Sequence, residues 1–145
     1  MRLTQYTDYS VRVLIYIGLN PDLRCTIGEI AESYGISKNH LMKVVQQLAA
    51  AGFVRSIRGA GGGLTLGMPP DQISLGAVVR EMEPDFGMVE CLRPDNSCVI
   101  TPACKLPQIL RRAADAFLAE LEAHTLADLL STRQRPALRR LLHVQ

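Results

Sequence analysis

The sequence predicts a mainly α-helical fold in which three helices lead into a β-hairpin and a longer helix follows later. Apolar residues recur at helical spacing along most of the chain. Capping residues and glycines mark where the first three helices begin and end. A glycine-rich turn between two short β-prone runs then indicates the hairpin.

The first two helices are predicted from their periodicity and their end signals. Segment 8–19 has apolar residues at helical spacing, and an Asn-Pro-Asp sequence stops it. Thr26 lies three residues before Glu29, which is the spacing of a capping box at the start of a second helix. Gly35 follows as a C-terminal stop.

The third helix and the hairpin come next. Ser37 is placed to cap a helix whose apolar face ends just before Gly52. The runs 53–57 and 64–66 are β-prone, and residues 59–63 between them form a flexible turn. The order of three helices and a hairpin predicts a winged helix–turn–helix.

The second half of the chain is predicted to hold a short helix over 74–83 and a long helix over 106–130. Pro136 breaks the tail, and residues 137–142 form a last short helix. The long helix carries an apolar stripe that consists of Ile109, Leu110, Ala113, Ala114, Phe117 and Leu121. Because this stripe is too broad for a small domain to cover, we expect a dimerisation helix. The alternative is that it packs on its own subunit.

These elements divide the chain into three regions. We predict a winged helix–turn–helix over 1–68, a short helix and a cysteine-containing loop over 69–105, and a dimerisation helix with a tail over 106–145. The 145 residues, 48% of them hydrophobic, suffice for one or two small cores.

The first residues of the chain show no targeting or membrane-spanning segment. The chain starts with a polar turn and no small-residue cleavage site, which is unlike a signal peptide. The nearby apolar stretch, 13–19, is far too short to span a bilayer. We therefore expect a cytoplasmic protein, whose thiols stay reduced.

The charges are unevenly distributed along the chain. Residues 1–67 hold seven Lys/Arg against four Asp/Glu, and residues 68–145 hold nine Lys/Arg against ten Asp/Glu. The mildly basic first part permits a polyanionic partner.

The third helix presents the residue types that contact DNA. Its exposed front carries Ser37, Lys38, Asn39, His40, Lys43 and Gln47. Such side chains bind phosphates and base edges when a helix enters the major groove. The hairpin adds Arg55, Arg58 and Gly59 as candidates for backbone contacts. A solvated polar face is the alternative for one helix alone, but only a winged helix also explains the hairpin.

The sequence does not predict an enzyme. We find no Ser/His/Asp arrangement and no paired acid and base carboxylates in a plausible pocket. The glycine-rich sequence RGAGGG lacks the Gly-Lys-Ser/Thr ending of a phosphate-binding loop.

Three of the four cysteines lie in one irregular loop. Cys91, Cys98 and Cys104 are separated by six and five residues, which is unlike the short CxxC of structural zinc sites. Longer spacings with prolines nearby suit an iron–sulfur cluster. A zinc site, free thiols and a disulfide remain as alternatives. Cys25 has no such pattern around it, and we interpret it as a small buried residue.

Four segments together resemble a known family. YTDYSVRVLIYI, ISKNHLMKVVQQLAAAGFV, RGAGGGLTL and NSCVITPACKL are similar to the winged-helix iron–sulfur regulators that include IscR, and within them to the nitric-oxide-sensing repressors of the NsrR type. The resemblance covers nearly the whole chain, from about residue 1 to about residue 130. It implies a homodimeric repressor that binds double-stranded DNA.

The resemblance also implies a cofactor and a switch. Cys91, Cys98 and Cys104 match the cluster cysteines, and the cluster is expected to be 4Fe–4S, with 2Fe–2S as the alternative. Asp8 matches a carboxylate that reaches over from the partner subunit as fourth ligand, a role that a water, Glu90, Asp95 or His124 could also fill. Our hypothesis is that cluster loss frees Asp8 to pair with Arg12 and shifts the first helix.

The sequence therefore predicts a nitric-oxide-responsive repressor that holds DNA with an intact cluster and releases it on nitrosylation. One alternative is an IscR-like regulator that senses cluster supply or redox state. A further alternative is a thiol or metal-binding protein without a role at DNA.

Overall fold

The computed structural model describes residues 2–144. The elements in chain order are α1 (Gln5–Leu19), α2 (Ile27–Tyr34), α3 (Lys38–Ala50), β1 (Val54–Ile57), β2 (Gly63–Leu66), α4 (Leu75–Met82), α5 (Leu106–Glu122), α6 (Leu126–Leu129) and α7 (Arg135–Leu141). The predicted fold class is confirmed, because the chain is mainly helical and its two strands form one antiparallel hairpin after the third helix.

Helix α1 begins earlier than periodicity predicts. Thr4 is its N-cap, and the Thr4 hydroxyl accepts a hydrogen bond from the Thr7 amide at 3.3 Å. Asp8 therefore lies inside the first full turn of the helix. The predicted end is confirmed, since the helix stops before Asn20, whose side-chain amide donates to the Tyr16 carbonyl.

The signals around α2 and α3 act locally, as the sequence predicts. Thr26 and Glu29 form a reciprocal capping box, and Gly35 ends α2 in the left-handed conformation at φ 63°. Ser37 occupies the N-cap position of α3, but its side chain makes no capping hydrogen bond within the described residues. The tight α2–α3 connection thus comes from Gly35, whose amide donates to the Glu32 carbonyl, and from Ile36, whose amide donates to the Ala31 carbonyl.

Helix α1 lies at the centre of the molecule and packs against α3, α4, α6 and β2. The fully buried side chains come from α1, α2, α3, α4, α6 and the segment before α4, and they include Val13, Leu14, Ile17, Ile30, Leu41, Val44, Leu48, Ile73, Val78 and Leu126. A displacement of α1 would therefore also displace α3, because closely packed interiors transmit strain.

The hairpin is extended by a segment that precedes α2. Val54 pairs with Leu66 and Ile57 with Gly63 in the antiparallel register. Cys25 adds a bridge, because its amide and carbonyl bond the carbonyl and amide of Leu64 at 3.1 and 2.7 Å. The wing is consequently fixed to the body of the domain along one edge.

The prediction of one helix over 106–130 is wrong, since α5 ends at Glu122. Thr125 is extended and starts α6 with a capping box in which Asp128 accepts from its amide at 2.8 Å. The intervening backbone bonds the segment before α4: Leu75 donates to the His124 carbonyl, and Leu126 donates to the Ile73 carbonyl. These bonds hold the chain in a non-helical path.

The C-terminal tail docks on α1. Pro136 lies in the first turn of α7 and so begins the last helix, where proline is tolerated. Arg135 and Arg139 donate to the carbonyls of Gly18 and Leu19 at 3.4 and 2.6 Å. They satisfy carbonyls at the α1 C-terminus.

The division of the chain into three regions, with boundaries after residues 68 and 105, stays a prediction.

Candidate DNA-reading face and cysteine loop

The exposed side of α3 and the wing lie on one surface. The predicted contact residues that are exposed there are Ser37, Lys38, Asn39, Lys43, Arg55, Arg58 and Gly59. A cleft of about 710 Å³ runs between α3 and β1 and is lined in part by Asn39, Lys43 and Ser56. Cationic and amide groups at the start of α3 and along the wing form a surface suited to phosphates and base edges.

His40 is only half-exposed and contacts α1. Its ring contacts those of Tyr6 and Tyr9, with centroid distances of 5.1 and 5.0 Å. Tyr9 in turn lies beneath the guanidinium of Arg12, at 5.7 Å from the ring centroid. The structure therefore places one predicted contact residue where it also joins the third helix to the first.

Gln47 differs from the other predicted front residues. Its side-chain amide donates to the Glu81 carbonyl at 3.0 Å, across 34 residues of chain. It thus holds the third helix to the end of α4 instead of extending into solvent. Periodicity alone places Gln47 on the polar face, and only the tertiary fold supplies its partner.

The wing tip is held by a residue that the sequence interpretation overlooked. Arg24 donates to the Gly61 carbonyl at 2.5 Å, and Gly59 and Gly61 both have positive φ, 93° and 71°. A lone arginine before a cysteine gives no pattern from which this contact could be predicted. Arg24 therefore fixes the position of the turn that follows Arg58.

Cys25 is a structural residue. It is 3% exposed, and burial, together with the nearby Glu29 carboxylate, raises the pKa of the Cys25 thiol to about 11. A neutral, buried thiol is a poor nucleophile and a poor metal ligand. The expectation of a small buried cysteine is met.

The cysteine loop connects α4 to α5 and contains only one short helical turn, at 90–92. Cys91, Cys98 and Cys104 are free thiols and are all half-exposed. Within residues 2–144, no three His, Cys, Asp or Glu side chains are gathered closely enough to hold one metal ion. The three sulfurs share one loop, but the described conformation does not bring them together.

Polar contacts organise the loop between the cysteines. The Glu90 carboxylate accepts from the amide and the hydroxyl of Ser97 at 3.1 and 2.6 Å, and these bonds hold the pKa of Glu90 below its ordinary value. Asn96 accepts from the Cys98 amide at 3.0 Å and donates to Thr101 at 3.1 Å. These local bonds fix the backbone around Cys98 and leave its thiol accessible.

The candidate fourth ligands are dispersed. Asp8 lies on α1 and is paired with Arg12 at 2.7 Å. Glu90 is bonded to Ser97, whereas Asp95 is exposed. His124 lies at the α5–α6 junction, between Glu120 at 3.5 Å and Asp128 at 3.4 Å. None of the four belongs to a gathered ligand set within residues 2–144.

One buried carboxylate was missed by the sequence interpretation. Glu83 is 9% exposed, and its side chain accepts from the Thr4 amide at 2.5 Å. It follows α4 directly, at the C-cap position, where the local sequence gives no sign of a buried carboxylate. Glu83 and Thr4 are 79 positions apart in the sequence, which explains why no local pattern predicts this bond.

Comparison with known proteins decides the family. A family model described as an iron-dependent transcriptional regulator, Rrf2, matches residues 3–132. The chain belongs to the Rrf2 family. The HTH-type transcriptional regulator NsrR of Bacillus subtilis (strain 168) is 50% identical over 136 residues, which cover 92% of this chain and 93% of that protein. The predicted resemblance to NsrR-type regulators is thereby confirmed.

Solved structures of other Rrf2-type proteins share the fold. The oxidised form of Staphylococcus aureus CymR is 28% identical, with a TM-score of 0.68 over 87% of this chain and 93% of that chain. IscR of T. potens is 24% identical, with a TM-score of 0.72 over 90% and 86%. This second likeness concerns the fold alone.

Membership in the family establishes the general activity. The chain is a DNA-binding transcriptional regulator and not an enzyme. Within residues 2–144, every helix is too short or too polar to span a lipid bilayer.

Proposed function

We propose that this regulator is a cytoplasmic homodimeric repressor that holds promoter DNA with an intact iron–sulfur cluster and releases it in response to nitric oxide. The observation that carries the proposal is the cysteine loop. It offers three unbridged, half-exposed thiols beside the DNA-binding domain of a chain whose family is described as iron-dependent. The 50% identity to NsrR supports the nitric-oxide branch.

The donor set fits a cluster by its chemistry. Cys91, Cys98 and Cys104 supply soft thiolates, which suit iron–sulfur clusters better than harder cations. Three cysteines leave one iron of a 4Fe–4S cluster for a different donor, and Asp8 of the partner subunit is the carboxylate we assign; 2Fe–2S is the alternative. When bound, the cluster supplies iron that nitric oxide can ligate. The loop would have to contract around the cluster, because the described conformation does not bring the three thiols together.

The two DNA-binding domains of the proposed dimer are each expected to contact DNA through the residues predicted from the sequence. Ser37, Lys38, Asn39, His40 and Lys43 at the start of α3 would face the major groove, and Arg55, Arg58 and Gly59 of the wing would face the backbone. One such domain reads only a few base pairs, so a dimer that spans two half-sites is the expected form.

The dimer surface is proposed from exposed apolar residues. Val99 is 91% exposed, Ile100 61%, Leu106 46% and Ile109 59%. All four lie between Cys98 and the first turns of α5, and Ile109 also belongs to the predicted stripe, whose Ala114 is buried within the subunit. Covering this surface with the same surface of a second copy would remove it from water and place each cysteine loop at the interface.

The switch is proposed from the Asp8–Arg12 pair. Asp8 cannot give its carboxylate fully to Arg12 and to a metal in the partner at the same time. Release of Asp8 from the partner's cluster would let Asp8 pair with Arg12. This new ion pair would change the position that α1 prefers. Because α1 packs on α3, a shift of α1 by about 1–2 Å would displace the α3 helices of the dimer from their positions on DNA.

Anaerobic reconstitution tests the proposal. The purified protein would be loaded with iron and sulfide, and binding to its own promoter would be measured by gel shift over a range of salt concentrations. We expect about four irons per subunit for a 4Fe–4S cluster, and affinity that falls steeply with salt. Cys98→Ser should lose both the cluster and tight DNA binding. DNA binding indifferent to the cluster would contradict the proposal.

A further inference from the structure

We propose that the neck, residues 81–84 between α4 and the cysteine loop, transmits the state of the loop to the DNA-reading helix within one subunit. Gln47 and Glu83 are its two positioning residues. This inference rests on the proposed function and adds a route that does not pass through Asp8.

The first contact joins the neck directly to α3. Gln47 donates to the Glu81 carbonyl at 3.0 Å. Gln47 lies one helical turn after Lys43, so the two side chains project from the same side of α3. A displacement of the Glu81 backbone would therefore pull on the helix that carries Lys43. A rigid helix passes such a movement on to its other end.

The second contact joins the neck to α1. The buried Glu83 carboxylate accepts from the Thr4 amide at 2.5 Å, at the N-terminus of the helix. A carboxylate is favoured at this end by the helix dipole. Two residues further on, Tyr6 contacts the His40 ring of α3 at 5.1 Å. The neck thus reaches α3 by a direct bond and again through the first turn of α1.

The loop end of the neck is tied to the first cysteine. Asp85 accepts from the Gly87 amide at 2.7 Å, and Arg93 donates to the Gly87 carbonyl at 3.2 Å. Arg93 lies two residues after Cys91. When the loop contracts to gather its thiols, the movement at Cys91 is carried to Gly87 and so to the neck.

The surroundings leave the neck room to move. A surface cleft of about 280 Å³ is lined by Thr4, Tyr6, Gln47, Glu81, Met82, Glu83 and Pro84. A small movement of the neck into this cleft would not have to displace tightly packed side chains. The cleft therefore leaves space for a second arrangement of the neck.

The test measures how far the cluster changes DNA affinity. Fluorescence anisotropy would give the ratio of affinities of the cluster-loaded and cluster-free protein for one operator fragment. Gln47→Met keeps the length of the side chain and removes the donor, and Glu83→Leu removes the acceptor. Each should reduce the wild-type ratio by about two- to tenfold, the range for one hydrogen bond. Gln72→Met, at an exposed glutamine in the turn before α4 and outside the proposed DNA contacts, is the matched control and should keep the ratio.

A second readout does not depend on the cluster. In the cluster-free protein, Glu83→Leu should speed hydrogen exchange of the amides near Thr4, whereas Glu83→Gln, which keeps an acceptor, should change it less. If Glu83→Leu does not fold, Gln47→Met still decides the question. A wild-type ratio near one would overturn the proposed function. A large wild-type ratio that Gln47→Met leaves intact, and that a folded Glu83→Leu protein also leaves intact, would overturn the neck proposal alone.

Discussion

Arg12 holds Asp8 in a two-point ion pair across one turn of α1. The Arg12 Nε donates to Asp8 Oδ1 at 3.1 Å, and its Nη2 lies 2.7 Å from Asp8 Oδ2. The same guanidinium lies 5.7 Å from the Tyr9 ring centroid and 5.8 Å from that of Tyr34. Aromatic rings on two helices therefore keep Arg12 in reach of Asp8, and any other ligand role of Asp8 must compete with this pair.

We expect substitutions of the pair to change the coupling between cluster state and DNA affinity. Arg12→Ala removes the competitor for Asp8, so DNA binding should persist to higher nitric oxide concentrations. Asp8→Ala removes the assigned ligand, so the cluster should be lost more readily before nitric oxide is added. Anisotropy titrations of both variants with nitric oxide would measure this. If both variants keep the wild-type coupling, the switch hypothesis is wrong.

Lys43 should contribute a phosphate contact. Lys43→Gln is expected to weaken binding to all DNA sequences alike, and to lower the slope of log affinity against log salt by about 2 in a dimer, one contact per subunit. Arg133→Gln, an exposed cation before α7, is the control and should leave the slope unchanged. An unchanged slope for Lys43→Gln would remove this residue from the proposed interface.

Ile109 tests the dimer surface. Ile109 is 59% exposed in the single chain and is proposed to be buried in the dimer. Ile109→Asp would therefore bury a charge in the dimer interface, which is unfavourable. Sedimentation equilibrium should show a shift from dimer to monomer with little loss of helicity. Gln108→Asp lies about 100° from Ile109 around the α5 axis and points away from Leu106, so this protein should remain dimeric. A dimeric Ile109→Asp protein would place the interface elsewhere.

Cysteine reactivity should separate Cys25 from the loop. With a pKa of about 11, about one Cys25 thiol in a thousand is ionised at pH 8, and the side chain is also buried. In the cluster-free protein, iodoacetamide should therefore modify three cysteines quickly and Cys25 slowly. Raising the pH should speed the slow reaction, and urea should abolish the difference. Four equal rates in the native protein would contradict this assignment.

Local signals explain which parts of the fold were predictable. The Thr26–Glu29 box and Gly35 act within one turn, so the sequence reveals them directly. The end of α5 was misplaced because the apolar residues Leu126, Leu129 and Leu130 suggest a longer helix, and they outweighed the second capping box, at Thr125. The same signature that marked α2 was present there and was overlooked.

Long-range contacts could not be predicted in this way. The bonds from Glu83 to Thr4 and from Gln47 to Glu81 span 79 and 34 residues, and nothing in either local pattern specifies the partner. The positions of the cysteines were visible in the sequence, but their separation in space depends on a loop held by its own polar contacts. Cluster ligation therefore stays a proposal.

The central claim is tested most directly by an anaerobic nitric oxide titration of the reconstituted protein bound to promoter DNA. Absorption of the cluster and anisotropy of labelled DNA would be recorded in one cuvette. Our account predicts that a broad visible band bleaches within a few equivalents of nitric oxide and that DNA is released over the same range. A colourless protein with stoichiometric zinc, or a cluster and a DNA complex both indifferent to nitric oxide, would contradict it.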